Sequence, residues 1–246
     1  MFLDAAFPND VVQDLVATGL TLALALTWLR LMDAAAARGW IESRASRKVI
    51  HIGTGPLFVL CWLLFSPSPT ARYMAALVPL AITAQFVFVG LGWMQDEKAV
   101  RAMTRHGDRR EILRGPLFYG LVFVSCTLVF WRADPVGTVA LMILCGGDGL
   151  ADLIGRRYGR RRLPHNPGKS WVGSGAMFLG GYLLALAMVA IFQSTGTLVP
   201  GVALPAAAVS IGWIALGSAI VESLPLTDVD NLTISGTAIV LGLALL

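Results

Sequence analysis

The chain has 246 residues, of which 56% are hydrophobic and 14% charged, with a formal net charge of +4 and a mean hydropathy of +0.71. That composition excludes an ordinary soluble domain and implies an all-α, polytopic integral membrane protein. The basic residues fall in a few loops between apolar runs, so anionic lipid headgroups and a phosphorylated substrate are the expected partners and nucleic acid is not.

The amino terminus, MFLDAAFPND, has no positively charged n-region and carries Asp4 and Asp10. It resembles neither a cleaved signal peptide nor an arginine-rich transit peptide, so the first span is expected to be kept and a bacterial cytoplasmic (inner) membrane is the expected location. Cys61, Cys126 and Cys145 lie in apolar runs without metal-ligand spacing; neither a disulfide nor a zinc site is expected.

A helix needs about 20 apolar residues to cross a bilayer. Such spans are predicted at 11–31, 49–66, 73–94, 116–132, 136–155, 171–193, 199–221 and 232–246. This makes about eight transmembrane helices (seven to nine), with the last one short. The connections after spans 1, 3 and 5 hold seventeen of the nineteen Lys and Arg residues, and only Arg72 and Arg132 fall elsewhere. By the positive-inside rule those connections are cytosolic, both termini lie outside, and the active site is expected at the cytosolic face. No linker, low-complexity run or repeat divides the chain, so 1–246 is read as a single domain.

The first basic connection ends in SRASRKVIHIGTG. Arg44, Arg47, Lys48 and His51 follow helical spacing along one face, which carries His51 to membrane depth. The second contains REILRGPLFYGLVF. Gly115-Pro116 marks a helix start there, and Arg114 and Tyr119 are within reach of a lipid headgroup. His106 and His165 are expected to be solvated.

The stretch with the most chemistry is GGDGLADLIGRRYGRRRLPHNPGKSWVGSG, residues 146–175. Two acids follow an apolar run, five arginines come next, and a Lys-Ser pair among glycines closes it. On a helix over 150–159, Asp148, Asp152, Gly155 and Gly159 share one face. The acids suit a magnesium ion, and the glycines would let phosphate oxygens approach the backbone. Asp148 directly follows VALMILCGG, and a carboxylate at membrane depth is a site hypothesis by default. Arg160 and Arg161, with Lys169 and Ser170, suit a triphosphate. There is no GxxxxGK[ST] P-loop.

The connection after span 7, IVESLPLTDVDNLTI, carries Glu222, Asp228 and Asp230 and no cation. Three acids on the positive side call for a balancing charge, either a metal or the arginines of the preceding cytosolic loop. Acids, arginines and an interfacial placement together describe an intramembrane transferase that uses a cytosolic phosphorylated donor and an amphipathic alcohol.

Four separated blocks, RKVIHIGTG, LRGPLFYG, GDGLADLIGRRYG with PGKSWVGS, and VESLP with DNLTI, resemble the CTP-dependent polyprenol kinase family. That family comprises phytol and farnesol kinases, dolichol kinase and the fungal diacylglycerol kinase, with a more distant similarity to CDP-diacylglycerol synthases. The phytol and farnesol kinases are the most similar, and the likeness runs from about residue 44 to the carboxyl terminus. It implies transfer of the γ-phosphate of CTP, with Mg²⁺, to a lipid alcohol.

The resemblance assigns Asp148, Lys169 and Ser170 to nucleotide and metal, with Glu222, Asp230 and Asn231 completing the site; Asp152, Gly155 and Gly173 are further candidates on the nucleotide side, and Asp228 is a further candidate metal ligand. Glu222 and His51 are the candidate bases, and Lys48, Arg114 and Tyr119 are candidates for the acceptor headgroup. DVDNLTI departs from the family's DDNLT form, with Val229 in place of the first acid. The alternatives are a diacylglycerol or dolichol kinase, a phosphatidate cytidylyltransferase using the same donor, and a lipid transporter.

Overall fold

The computed structural model describes residues 7, 9–104, 106–198, 203–226 and 229–246. Among them, seven helices are long and apolar enough to cross a membrane, and an eighth, Asp230–Leu245, is shorter. At 16 residues that helix rises about 24 Å, less than a typical hydrocarbon core. The architecture is helical, as the composition requires. Among the described residues the helices are joined by a two-stranded antiparallel hairpin, β1 (Arg162–Leu163) with β2 (Asn166–Ser170). The chain divides into two compact units, Met1–Leu128 and Val129–Leu246.

In the first unit, α1 (Asp10–Ala37) packs on α2 (Ser43–Cys61) and α3 (Ala71–Leu91). Asn9 caps α1 by accepting the amide of Val12, which satisfies a donor the helix cannot pair internally. Asp14 is buried on this helix and is compensated there. Its carboxylate accepts the backbone amide of Ser66 at 2.8 Å and the Ser66 hydroxyl at 3.1 Å. Gly53 of α2 leaves room for Trp28 of α1, whose ring lies where a Cβ would stand. A short amphipathic helix, α4 (Glu97–Met103), and a 3₁₀ turn over Arg109–Leu113 lead to α5 (Gly115–Val129). α5 starts at the predicted Gly-Pro step.

The second unit is built on α6 (Pro135–Met142) and α7 (Gly149–Tyr158), which a π turn over Ile143–Asp148 joins into one spanning segment. Every residue from Pro135 to Gly149 is buried. α8 (Trp171–Ser194), α9 (Leu204–Glu222) and α10 (Asp230–Leu245) all pack against the π turn. The turn crosses α8 where only glycine fits: a Cβ on Gly146 would lie 2.9 Å from the Gly180 carbonyl oxygen. Asp148 closes this turn, and π turns inside α-helices recur at functional sites.

Candidate functional site

The second unit gathers most of the predicted residues at one end of its helices. α9 ends on Glu222, whose side chain is 2% exposed, and Lys169 of β2 forms its ion pair. The sequence expectation looked to the arginines or a metal for this balancing charge. The structure supplies the lysine that follows them. Arg160 and Arg161, between α7 and β1, keep their charges at the surface, whereas the hairpin carries Lys169 inward.

Lys169 engages only one oxygen of Glu222. The other, Oε2, is buried and has no hydrogen-bond partner. A buried carboxylate oxygen in that state costs of order 1–3 kcal/mol, which makes this end of the unit the candidate site. The negative charges of Asp148 and Asp230 both act on this carboxylate. Three acids from the π turn, the end of α9 and the start of α10 therefore share one electrostatic neighbourhood, in which Lys169 pairs with Glu222. Asp148 and Asn231 are both buried.

Among the described residues, no three His, Cys, Asp or Glu side chains come close enough to enclose a metal ion, and Asp228 lies outside those residues. The donor set still fits magnesium. Mg²⁺ is commonly held by one or two carboxylates, with waters and substrate phosphates completing its shell, and Asp148 and Asp230 are hard oxygen donors of that kind.

Asp152 lies on α7 and pairs with Arg156 one turn on, a local pair of small energetic weight. Arg160 and Arg161 are exposed between α7 and β1. The glycine face of α7 is filled from within. A Cβ on Gly155 would lie 3.1 Å from the Cα of Gly173, and one on Gly159 would lie 2.1 Å from the Gly155 carbonyl oxygen and 2.2 Å from Ser170 Oγ. These glycines let the start of α8 pack against α7. Ser170 is buried, and it caps α8 by accepting the amide of Gly173 at 3.1 Å.

Three residues that the sequence reading did not assign complete this end of the unit. Asn166 donates through Nδ2 to the carbonyl of Ser223 at 3.0 Å, and its Oδ1 accepts the amide of Gly168 at 3.1 Å. His165 stays exposed, yet its Nε2 lies 3.0 Å from Ser223 Oγ. Asn-Pro-Gly was legible as turn chemistry, but its partner on α9 was not.

The first unit holds the other candidates. The Tyr119 hydroxyl of α5 donates to the backbone carbonyl of His51 on α2 at 2.8 Å, and the two rings lie 4.4 Å apart. Lys48 is half-buried one turn before His51, and Arg114 is exposed just before α5. Arg47 donates to the carbonyl of Thr104 at the end of α4, so that predicted cation is a tether between elements.

Comparison with known proteins gives concordant relatives. The chain is 43% identical over 234 residues to "Probable phytol kinase, chloroplastic" of Zea mays, covering 94% of this chain and 77% of that one. It is 40% identical to the farnesol kinase of Arabidopsis thaliana, covering 97% and 78%, and 37% identical to phytol kinase 1 of the same plant, covering 94% and 76%. No protein-family model and no solved structure matches the chain. These relatives carry chloroplastic names, which lends no support to the expected bacterial cytoplasmic membrane.

Proposed function

The chain belongs to the phytol and farnesol kinases of the polyprenol kinase family and is a multi-pass membrane kinase; from that premise we propose that it transfers the γ-phosphate of CTP to the hydroxyl of an isoprenoid alcohol, with Mg²⁺. The observation that carries the proposal is the Glu222 carboxylate. It is buried, held at one oxygen by Lys169, unpartnered at the other, and flanked by the charges of Asp148 and Asp230.

The roles follow from the chemistry of phosphoryl transfer, which depends on positioning and on neutralising charge. Asp148 and Asp230 would hold Mg²⁺, which supplies charge neutralisation on the phosphate oxygens. Asp228 is a proposed further ligand. Lys169 leans on Glu222 and is within the neighbourhood of the acids, so it meets the donor's phosphates as a point charge. Arg160 and Arg161 add exposed positive charge that draws a triphosphate toward this end of the unit.

Asp152, Gly155, Ser170, Gly173 and Asn231 are proposed to shape the nucleotide side, the glycines and Ser170 through the α7–α8 packing. Glu222 Oε2 is the proposed base. As the alcohol oxygen bonds to the γ-phosphorus, the bond to the β–γ bridging oxygen breaks, CDP leaves with that electron pair, and the alcohol proton passes to Glu222. Lys48, His51, Arg114 and Tyr119 are proposed for the alcohol headgroup. The whole chain, 1–246, is proposed to act as one kinase domain embedded in the bilayer, with its donor site at the cytosolic face.

The test uses purified protein in liposomes with phytol, farnesol, geranylgeraniol, a polyprenol and diacylglycerol, and CTP labelled at either the γ- or the α-phosphate. Gamma label in an isoprenoid product supports the proposal and identifies the acceptor. Alpha label in the lipid means cytidylyl transfer and overturns it. Transfer to diacylglycerol alone corrects the acceptor class.

A further inference from the structure

Lys169 sits on the five-residue strand β2, which leads directly into α8, and its position over Glu222 depends on how that strand is fastened. Two fastenings are visible. On one side Ser170, the next residue, is wedged into the glycine face of α7 and caps α8. On the other side the hairpin is tied to the last turn of α9 by side chains that lie next to the tip of the hairpin.

The second fastening is specific in its hydrogen-bond logic. The Ser223 hydroxyl donates to the carbonyl of Ile220 at 2.6 Å, which commits its only proton. His165 Nε2, 3.0 Å away, must therefore be the donor, so the proton of the neutral ring is on that nitrogen. Asn166 donates to the carbonyl of Ser223. The last carbonyls of a helix have no partner within it, and Asn166 of the hairpin gives the carbonyl of the C-cap residue of α9 a donor. The other end of the same amide holds the Gly168 amide, which fixes the hairpin's turn. Glu222 and Ser223 are adjacent on α9, and Asn166 and Lys169 lie within one strand. One docking event thus sets both the helix cap and the ion pair.

We propose that His165 and Asn166 are positioning residues for the transfer reaction: by docking the hairpin on Ser223 they hold Lys169 where it meets the donor's phosphates. This rests on the reading of Lys169 as a phosphate contact. A displacement of about 1 Å in a positioned charge is worth up to two orders of magnitude in rate or affinity, so loss of the docking is expected to register in donor binding.

Three variants separate docking from folding. Asn166→Asp keeps an oxygen to accept the Gly168 amide but cannot donate to Ser223. His165→Gln keeps an N–H that can donate to Ser223 Oγ, and His165→Ala does not. In liposomes, Asn166→Asp and His165→Ala are expected to raise the KM for CTP about tenfold with little change in kcat, while His165→Gln stays near wild type. In a Lys169→Ala background, Asn166→Asp is expected to add nothing further. A merely structural role would instead lower kcat and add to the lysine variant. Hydrogen exchange over 162–170 reads the docking itself and is expected to rise in Asn166→Asp.

An unchanged KM in Asn166→Asp and His165→Ala overturns the proposal, and so do effects that add to Lys169→Ala. If Lys169→Ala leaves the KM for CTP unchanged, the reading of Lys169 fails and the proposal fails with it, whereas unchanged exchange in Asn166→Asp condemns the docking alone.

Discussion

Lys169 and Glu222 are 53 residues apart in the chain and form an ion pair in which the carboxylate is almost wholly buried and the lysine is one-third exposed. The asymmetry decides what each removal does. Taking away the lysine leaves a buried charge with nothing opposite it, and taking away the acid leaves a lysine that can turn to water.

Lys169→Met is therefore expected to lower stability by roughly 1–3 kcal/mol, the scale of an unpartnered buried polar group. Adding Glu222→Gln should restore much of the loss, because the double variant buries no net charge. Thermal unfolding in detergent of the two single variants and the double variant measures the coupling.

The packing of α7 on the start of α8 gives a contrast between glycines. Gly159→Ala would place a Cβ 2.1 Å from a backbone carbonyl, and overpacking of this kind costs about 1–3 kcal/mol or more. Gly175 of α8 has nothing within 4 Å of its Cβ position, so Gly175→Ala is expected to be neutral or to stabilise by about 0.5–1 kcal/mol through helix propensity. Melting temperatures of the two variants should move in opposite directions or, at the least, only that of Gly159→Ala should fall.

Asp148 closes the π turn and acts on Glu222 as a like charge. Asp148→Asn keeps the shape and removes the charge, and it is expected to lower kcat by about 10²–10³ at saturating Mg²⁺, the usual scale for losing one group that stabilises developing charge. Full turnover of that variant would show that Asp148 is not a metal ligand.

In the first unit, Tyr119→Phe removes one hydrogen bond to the His51 carbonyl and keeps the ring pair. A loss of about 0.5–1.5 kcal/mol in stability is expected, with the KM for CTP unchanged. Thermal unfolding and a donor titration on the same preparation check both parts.

The spans were legible because lipid demands long apolar helices, and Pro116 marked a helix start because its local chemistry admits little else. Asp148 was legible because a carboxylate at the end of VALMILCGG is costly without a purpose. Other features depend on partners distant in sequence. Charge counting showed that Glu222 needed a cation but could not choose Lys169 over the five neighbouring arginines. The spacing of Gly155 and Gly159 showed one bare face, and nothing local revealed that Ser170 and Gly173 fill it. Asn166 announced a turn and gave no sign of Ser223, and the π turn at Asp148 has no hydrophobic period of its own.

The central claim is that the donor's phosphates meet Lys169 beside Glu222, and equilibrium binding tests it most directly. CTP binding with Mg²⁺, measured by dialysis without any alcohol, would be compared for wild type and Lys169→Ala at a temperature where both are folded. The account predicts at least a roughly tenfold loss of affinity, on the scale of one charge-assisted hydrogen bond to phosphate. Equal affinity in the two proteins would contradict it.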